Sequence, residues 1–282
     1  MTEIPPLNIT SLLKRFGLRA DRKLGQNFLQ DPFALEAIAS AAEIQPRDIV
    51  LEIGPGLGSL TRYLAASARQ VVAVELDRDM LPPLKEVTSA YDNINIVHGD
   101  ILKLSPMDLI QEPGYLVVAN IPYYITSAII RHLLAQSPKG ENQPKPRRIV
   151  LTVQKEVATR ICAQPGDMSI LALSVQIYGK PRLAKHIPAN AFFPPPKVDS
   201  AVLCVEIYPE PIVPPEFIDT FFKLVKAGFS QKRKTLRNSL SAGLHISAQH
   251  AEELLDKGGI DPRRRAETLS IQEWQNLCAL YK

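Results

Sequence analysis

A chain of 282 residues with 45% hydrophobic and 22% charged content holds enough apolar material for one large domain, or for a large and a small one. No run approaches the ~18 apolar residues that a membrane span needs, and the N-terminal stretch lacks the charged-then-apolar pattern of a secretory signal, so a cytoplasmic location is expected. Cys162, Cys204 and Cys278 are odd in number and far apart, and the five histidines show no ligand spacing, which argues against a disulfide framework and against a metal centre. The cysteines read as small buried hydrophobes, and His98 and His132 as structural residues in apolar surroundings.

In chain order, residues 1–7 read as loose, and a short helix from Asn8 to Phe16 is stopped by Gly17. A polar arm follows to Gln30. Asp31-Pro32 then opens a helix, since aspartate caps well and proline suits the first helical position. Apolar runs starting at Asp48-Ile49, at Gln70, at Ile94, at Tyr115 and at Ile149 read as strands, with helices expected near residues 57–67, 78–89 and 124–136. This alternation predicts a parallel, doubly wound sheet. Residues 137–146, rich in proline and poor in apolar side chains, read as an exposed loop. Helices are expected over 154–163 and 168–178, the second apolar enough to be a strand, and two last strands over 182–187 and 201–208. Pro209-Glu210-Pro211-Ile212-Val213-Pro214-Pro215 reads as a linker, dividing the chain into domains 1–208 and 209–282. Beyond it Phe217, Phe221, Leu224, Leu236, Leu240, Trp274 and Leu277 recur at helical spacing, so the second domain is expected to be small and all helical.

The informative stretch is Glu52-Ile53-Gly54-Pro55-Gly56-Leu57-Gly58, a glycine turn between a strand and a helix. Such a turn lets the backbone approach a ligand closely, although a tight turn needs no ligand, and its third glycine comes one residue earlier than in the dinucleotide fingerprint. Glu75 ends the second strand about 20 residues on, where a carboxylate can accept hydrogen bonds from a ribose. Asp100 and Asn120 end the third and fourth strands, and Asn120 is followed by Ile121-Pro122-Tyr123. In an open parallel sheet, Gly54, Glu75, Asp100 and Asn120 converge on one crevice.

Charge adds a second signal to the net +4. Lys223, Lys226, Lys232, Arg233, Lys234 and Arg237 occur with no acid between positions 223 and 237, Arg263-Arg264-Arg265 form a triplet, and Lys14, Arg15, Arg19, Arg22 and Lys23 make the arm basic. Such clusters are either solvated helix faces or contacts to a phosphate backbone.

These residues resemble an S-adenosylmethionine-dependent methyltransferase of the amino-group type. Lys23-Leu24-Gly25-Gln26-Asn27-Phe28-Leu29, Gln154-Lys155-Glu156-Val157-Ala158 and Ala191-Phe192-Phe193-Pro194-Pro195-Pro196-Lys197-Val198-Asp199-Ser200 narrow the resemblance to the ribosomal RNA adenine dimethyltransferase family, in its bacterial small-subunit branch, over roughly residues 20–280. The fold implied is α/β, a Rossmann-like S-adenosylmethionine-dependent methyltransferase sheet with a small C-terminal all-helical domain. The resemblance implies S-adenosyl-L-methionine as methyl donor, held by Asn27, Leu29, Gly54, Glu75, Asp100 and Asn120, with Gln26 and Ile101 also near it. It implies that Asn120 and the Ile121 carbonyl accept the two amino hydrogens of an adenine, that Pro122 fixes the backbone, and that Tyr123 and Phe192 stack on the two faces of the base. The implied substrate is a pair of adjacent adenosines in the 3′-terminal hairpin loop of 16S rRNA, the implied partner the small ribosomal subunit, and the enzyme is expected to be a monomer without metal. Two other readings stay open at this point: a large-subunit rRNA adenine methyltransferase of the antibiotic-resistance type, and a ribosome-assembly binding factor in which catalysis is secondary.

Overall fold

The computed structural model describes residues 4–21, 24–122, 125–134 and 144–281. In chain order these form α1 (Ile9–Arg15), β1 (Phe28–Leu29), α2 (Pro32–Ala42), β2 (Ile49–Ile53), α3 (Ser59–Ala65), β3 (Gln70–Glu75), α4 (Leu81–Thr88), β4 (Ile94–His98), α5 (Pro106–Leu109), β5 (Leu116–Asn120), α6 (Thr126–Leu134), β6 (Arg148–Gln154), α7 (Lys155–Ile161), α8 (Ile170–Gln176), β7 (Gly179–Ile187), β8 (Phe192–Phe193), β9 (Ser200–Ile207), α9 (Ile218–Phe229), α10 (Leu236–Leu244), α11 (Ala248–Lys257) and α12 (Ile271–Leu280). Residues 137–143 of the loop expected before β6 lie outside the described residues.

Local chemistry sets the helix starts as read from the sequence. Asn8 Oδ1 accepts the Ser11 N–H at 2.9 Å, and Asp31 Oδ1 accepts the Ala34 N–H at 2.8 Å with Pro32 in the first turn. The ambiguous apolar stretch 168–178 contains the helix α8, which Ser169 caps by accepting the Ala172 N–H at 3.1 Å.

The chain divides into two compact units. One comprises residues up to Ala158 together with Arg182–Ile207; the other comprises Thr159–Pro181 and the chain from Tyr208 onward. Residues 159–181, placed with the first domain on sequence grounds, thus belong to the helical unit. The cause is burial: Met168, Leu173 and Ile177 share one apolar core with Phe221, Leu224, Leu240 and Trp274. In that core Trp274 is fully buried and stacks on Phe229 with ring centroids 6.0 Å apart, and α9 and α10 approach so closely that a Cβ on Gly243 would lie 2.5 Å from Ala227 Cα.

The first unit is a seven-stranded sheet in the order β4-β3-β2-β5-β6-β9-β7. Strands β2 to β6 pair in parallel, but β9 runs antiparallel to β6 with Ser200 opposite Gln154, so the sheet is mixed rather than wholly parallel. Every residue of β2 is buried and four of the five in β5 are, as expected for central strands covered on both faces. A separate ribbon joins β1 to β8, antiparallel, with Phe28 opposite Phe193 and Leu29 opposite Phe192. His98 is exposed rather than buried, since β4 is an edge strand, while His132 Nε2 lies 3.0 Å from the Leu104 carbonyl.

Candidate active site

Strand order reverses between β2 and β5, and at the carboxyl ends of these strands a crevice opens to solvent, the place where open α/β sheets bind ligands. Gly54 and Gly56 take φ of +67° and +57°, a left-handed conformation that side chains resist. A Cβ on Gly54 would meet nothing within 4 Å, so that side of the turn is open. One on Gly56 would come within 3.1 Å of the Phe28 ring, so the arm that carries β1 lies against the turn.

Glu52, Glu75, Asp77 and Asp100 line this crevice, and among the described residues no lysine, arginine or histidine does. Glu75 is 6% exposed; its Oε2 accepts the Gly56 N–H at 2.9 Å and its Oε1 the Asp77 N–H at 2.8 Å. Burial holds its carboxyl above the usual range, and those two N–H donors act against the rise. Each carboxylate oxygen still has a lone pair for a ligand hydroxyl. Glu52 is 1% exposed, and its Oε2 has no hydrogen-bond partner. Burial pushes its carboxyl up to about 8, opposed by the nearby Thr61 hydroxyl and reinforced by the charge of Glu75. Asp77 accepts from Gln26 Nε2 at 2.7 Å, which ties the arm to the end of β3. Asp100 Oδ1 accepts the Leu102 N–H at 3.0 Å and so turns the chain after β4.

The crevice gathers every residue expected at the cofactor, namely Asn27, Leu29, Gly54, Glu75, Asp100 and Asn120, together with Gln26 and Ile101. Ile121 and Pro122 line it as well, and Tyr123 lies outside the described residues. Asn120 Nδ2 donates to the Asn27 carbonyl at 3.1 Å, and no described residue donates to its Oδ1. The arm thereby fixes which end of the amide remains an acceptor. The structure does not bring Phe192 into the crevice. It is 2% exposed and packs with Leu29, Leu35 and Ile38 in the core of the sheet, because side chains opposite one another in the β1–β8 ribbon share a face and Leu29 points inward. Sequence reasoning assigned no role to Glu52 or Asp77. A carboxylate within a strand otherwise made of Ile, Val and Leu was the signal that could have singled out Glu52.

In the helical unit Lys226, Lys232, Arg233 and Lys234 are exposed and pair with no acid among the described residues. Other basic residues of the sequence clusters are committed internally: Arg237 to Glu252 at 3.0 Å, Arg263 to Asp261 at 3.0 Å, and Arg264 to Glu273. Among the described residues no group of three or more His, Cys, Asp or Glu is placed to hold a metal ion, and no helix is long and apolar enough to cross a membrane.

Comparison with known proteins agrees with this arrangement. The family model for ribosomal RNA adenine dimethylase matches residues 17–282. The chain is 48% identical to the ribosomal RNA small subunit methyltransferase A of Dehalococcoides mccartyi, over 96% of this chain and 91% of that one, and 40% identical to the enzyme of the same name from Alkaliphilus metalliredigens, over 97% and 96%. Among solved structures, the 23S rRNA methyltransferase ErmE superposes with a TM-score of 0.71 at 30% identity over 90% of this chain and 99% of that one. A dimethyladenosine transferase from Plasmodium falciparum superposes with a TM-score of 0.73 at 27% identity, over 89% and 95%. A Rossmann-like sheet with a ligand crevice at its strand ends, and a family match that runs through the helical unit, lead to one assignment: the chain belongs to the ribosomal RNA adenine dimethylase family and is an rRNA adenine methyltransferase.

Proposed function

We propose that this enzyme dimethylates the exocyclic amino groups of two adjacent adenosines in the 3′-terminal hairpin loop of 16S rRNA, with S-adenosyl-L-methionine as methyl donor, during biogenesis of the small ribosomal subunit. The observation that carries the reading is the 48% identity, over nearly the whole chain, to an enzyme named for the small subunit, against 30% to one named for 23S rRNA.

The residues of the crevice fit such a donor. Its sulfonium and ammonium groups are cationic, and the crevice offers carboxyl groups and, among the described residues, no lysine, arginine or histidine. Glu52 Oε2, buried and without a partner, suits the ammonium; Glu75 suits the ribose hydroxyls, Asp100 the adenine amine, and Asn27 and Leu29 close the site from the arm. When bound, the donor supplies a methyl group activated by the positive sulfur.

An adenine amine is a weak nucleophile because its lone pair is delocalised into the ring. The protein therefore has to orient the amine rather than activate it strongly. Asn120 Oδ1 and the Ile121 carbonyl accept the two amino hydrogens and aim the lone pair, while Pro122 fixes the backbone that carries the carbonyl. Tyr123 stacks on the base, a contact worth about 1 to 3 kcal/mol. The methylated amine is acidic enough to lose its proton to water, so no dedicated base is assigned. Lys226, Lys232, Arg233 and Lys234 take RNA phosphates, a contact that positions without reading sequence.

The test is to incubate the enzyme with small and large ribosomal subunits that lack the modifications and with radiolabelled S-adenosylmethionine, and to map the label. Label on two adjacent adenines of 16S rRNA supports the reading. Label only on 23S rRNA supports the large-subunit alternative and overturns this one.

A further inference from the structure

We propose that Asp199 is a positioning residue for Asn120, acting through the β1–β8 ribbon; the inference rests on the reading of Asn120 given above. Asp199 stands at the foot of β9, where its carbonyl accepts the Lys155 N–H at 3.0 Å and so fixes it to the end of β6. Its carboxylate reaches across a loop of the chain. Oδ1 accepts the Ala189 N–H at 3.0 Å, and Oδ2 lies 3.0 Å from His186 Nε2. Ala189 opens a single helical turn that ends at Ala191, immediately before β8. The Ala191 carbonyl in turn accepts the N–H groups of Gln30 and Asp31, at 3.0 and 3.3 Å.

The ribbon thus hangs between two fixed points. Strand β1 is two residues long, and β8 is the only strand with which it pairs among the described residues. The arm just ahead of β1 supplies the Asn27 carbonyl, the partner of Asn120 Nδ2 at 3.1 Å. Asp199, held to the end of β6 through its carbonyl, therefore sets the turn, the turn sets the ribbon, and the ribbon sets the acceptor that orients Asn120. Coupling of this kind travels through a contiguous chain of hydrogen bonds. Neither the crevice lining nor the chemistry of methyl transfer calls on Asp199 directly.

The experiment is a double-mutant cycle in methyl transfer to ribosomal subunits, with Asp199→Ala, Asp199→Asn and Asp199→Glu each combined with Asn120→Ala. Asp199→Ala is expected to lower kcat roughly tenfold with little change in KM for the RNA, on the scale of one backbone hydrogen bond lost. Asp199→Asn keeps an oxygen for the Ala189 N–H and should recover most of the rate. Asp199→Glu keeps the charge but moves the oxygens, and should resemble Asp199→Ala; it also serves if the alanine variant fails to fold. With Asn120 already replaced, Asp199→Ala should cost less than about twofold more, since the residue through which it acts is gone. An impaired Asn120→Ala enzyme that loses the full factor again on adding Asp199→Ala overturns this inference alone. An Asn120→Ala enzyme at full rate overturns the reading of Asn120 and this inference with it.

Discussion

Glu52→Gln is the substitution whose outcome is most directly determined by the structure. The side chain is 1% exposed on a fully buried strand, with one oxygen unpartnered and a carboxyl pushed up to about 8 by burial. In the unfolded chain the same group titrates near 4.5. Since the folded value is the higher one, the protonated group's contribution to stability is complete below pH 4.5 and is lost as pH rises through about 8. Within that window each pH unit costs about 1.4 kcal/mol, so wild type should lose about 3 kcal/mol between pH 5 and 7.5 that the glutamine variant does not lose. At about 2 to 4 °C per kcal/mol for a unit of this size, melting of the sheet should shift by roughly 6 to 12 °C relative to the variant. Circular dichroism across that pH range reads the effect. Trp274, the single tryptophan, lies in the helical core and reports that core separately by fluorescence. Parallel pH profiles for wild type and variant would refute a neutral, buried Glu52. If the cofactor's ammonium meets this carboxyl, binding at pH 7 should release nearly one proton, measurable by calorimetry in buffers of different ionisation enthalpy, and the variant should release none.

Three further outcomes are expected. Glu75→Ala should weaken S-adenosylmethionine binding by about 1.5 to 3 kcal/mol, as expected for hydrogen bonds to a charged group, and it also frees the Gly56 and Asp77 N–H groups; unchanged affinity by calorimetry would remove Glu75 from the site. Neutralising Lys232, Arg233 and Lys234 together should flatten the salt dependence of RNA binding by up to about 3 units, whereas neutralising Arg237, already paired with Glu252, should leave the slope nearly unchanged; equal slopes for both variants would show that the exposed triplet only solvates a turn. Gly243→Ala places a Cβ 2.5 Å from the Ala227 Cα, a backbone atom that cannot swing away, and should destabilise the helical unit by about 1 to 3 kcal/mol on denaturation followed by Trp274 fluorescence.

The sheet and the crevice were legible because their signals are local and strong. A buried strand, a glycine turn and an acid at the next strand's end each carry their own periodicity or residue type, and Gly54, Glu75, Asp100 and Asn120 do meet. Three features were not legible, each for a physical reason. Strands β1 and β8 are two residues long, too short for any alternation to register, so the ribbon that puts Phe192 in the core could not be read from Phe192 and Phe193 alone. The antiparallel entry of β9 depends on a partner far along the chain, and nothing in its apolar run encodes direction. Residues 159–181 join the helical core through Met168 and Leu173, contacts that a proline-rich stretch after Tyr208, read as a boundary, conceals.

Net charge was the least informative of the sequence quantities, and the structure shows why. The formal +4 is a sum over groups in unlike surroundings. In the first unit four acids converge on a crevice that no cationic side chain lines among the described residues, and two of them, Glu52 and Glu75, are so buried that their carboxyls are raised. In the second unit Arg237 and Arg264 are spent on Glu252 and Glu273, while Lys226, Lys232, Arg233 and Lys234 remain exposed and without acid partners among the described residues. A buried carboxyl favours a cation that can be desolvated beside it, and an exposed lysine favours a phosphate that keeps most of its water. The two ligand classes are therefore sorted by burial as much as by sign. Raising ionic strength should weaken RNA binding steeply, while cofactor affinity, set among desolvated groups, should change far less.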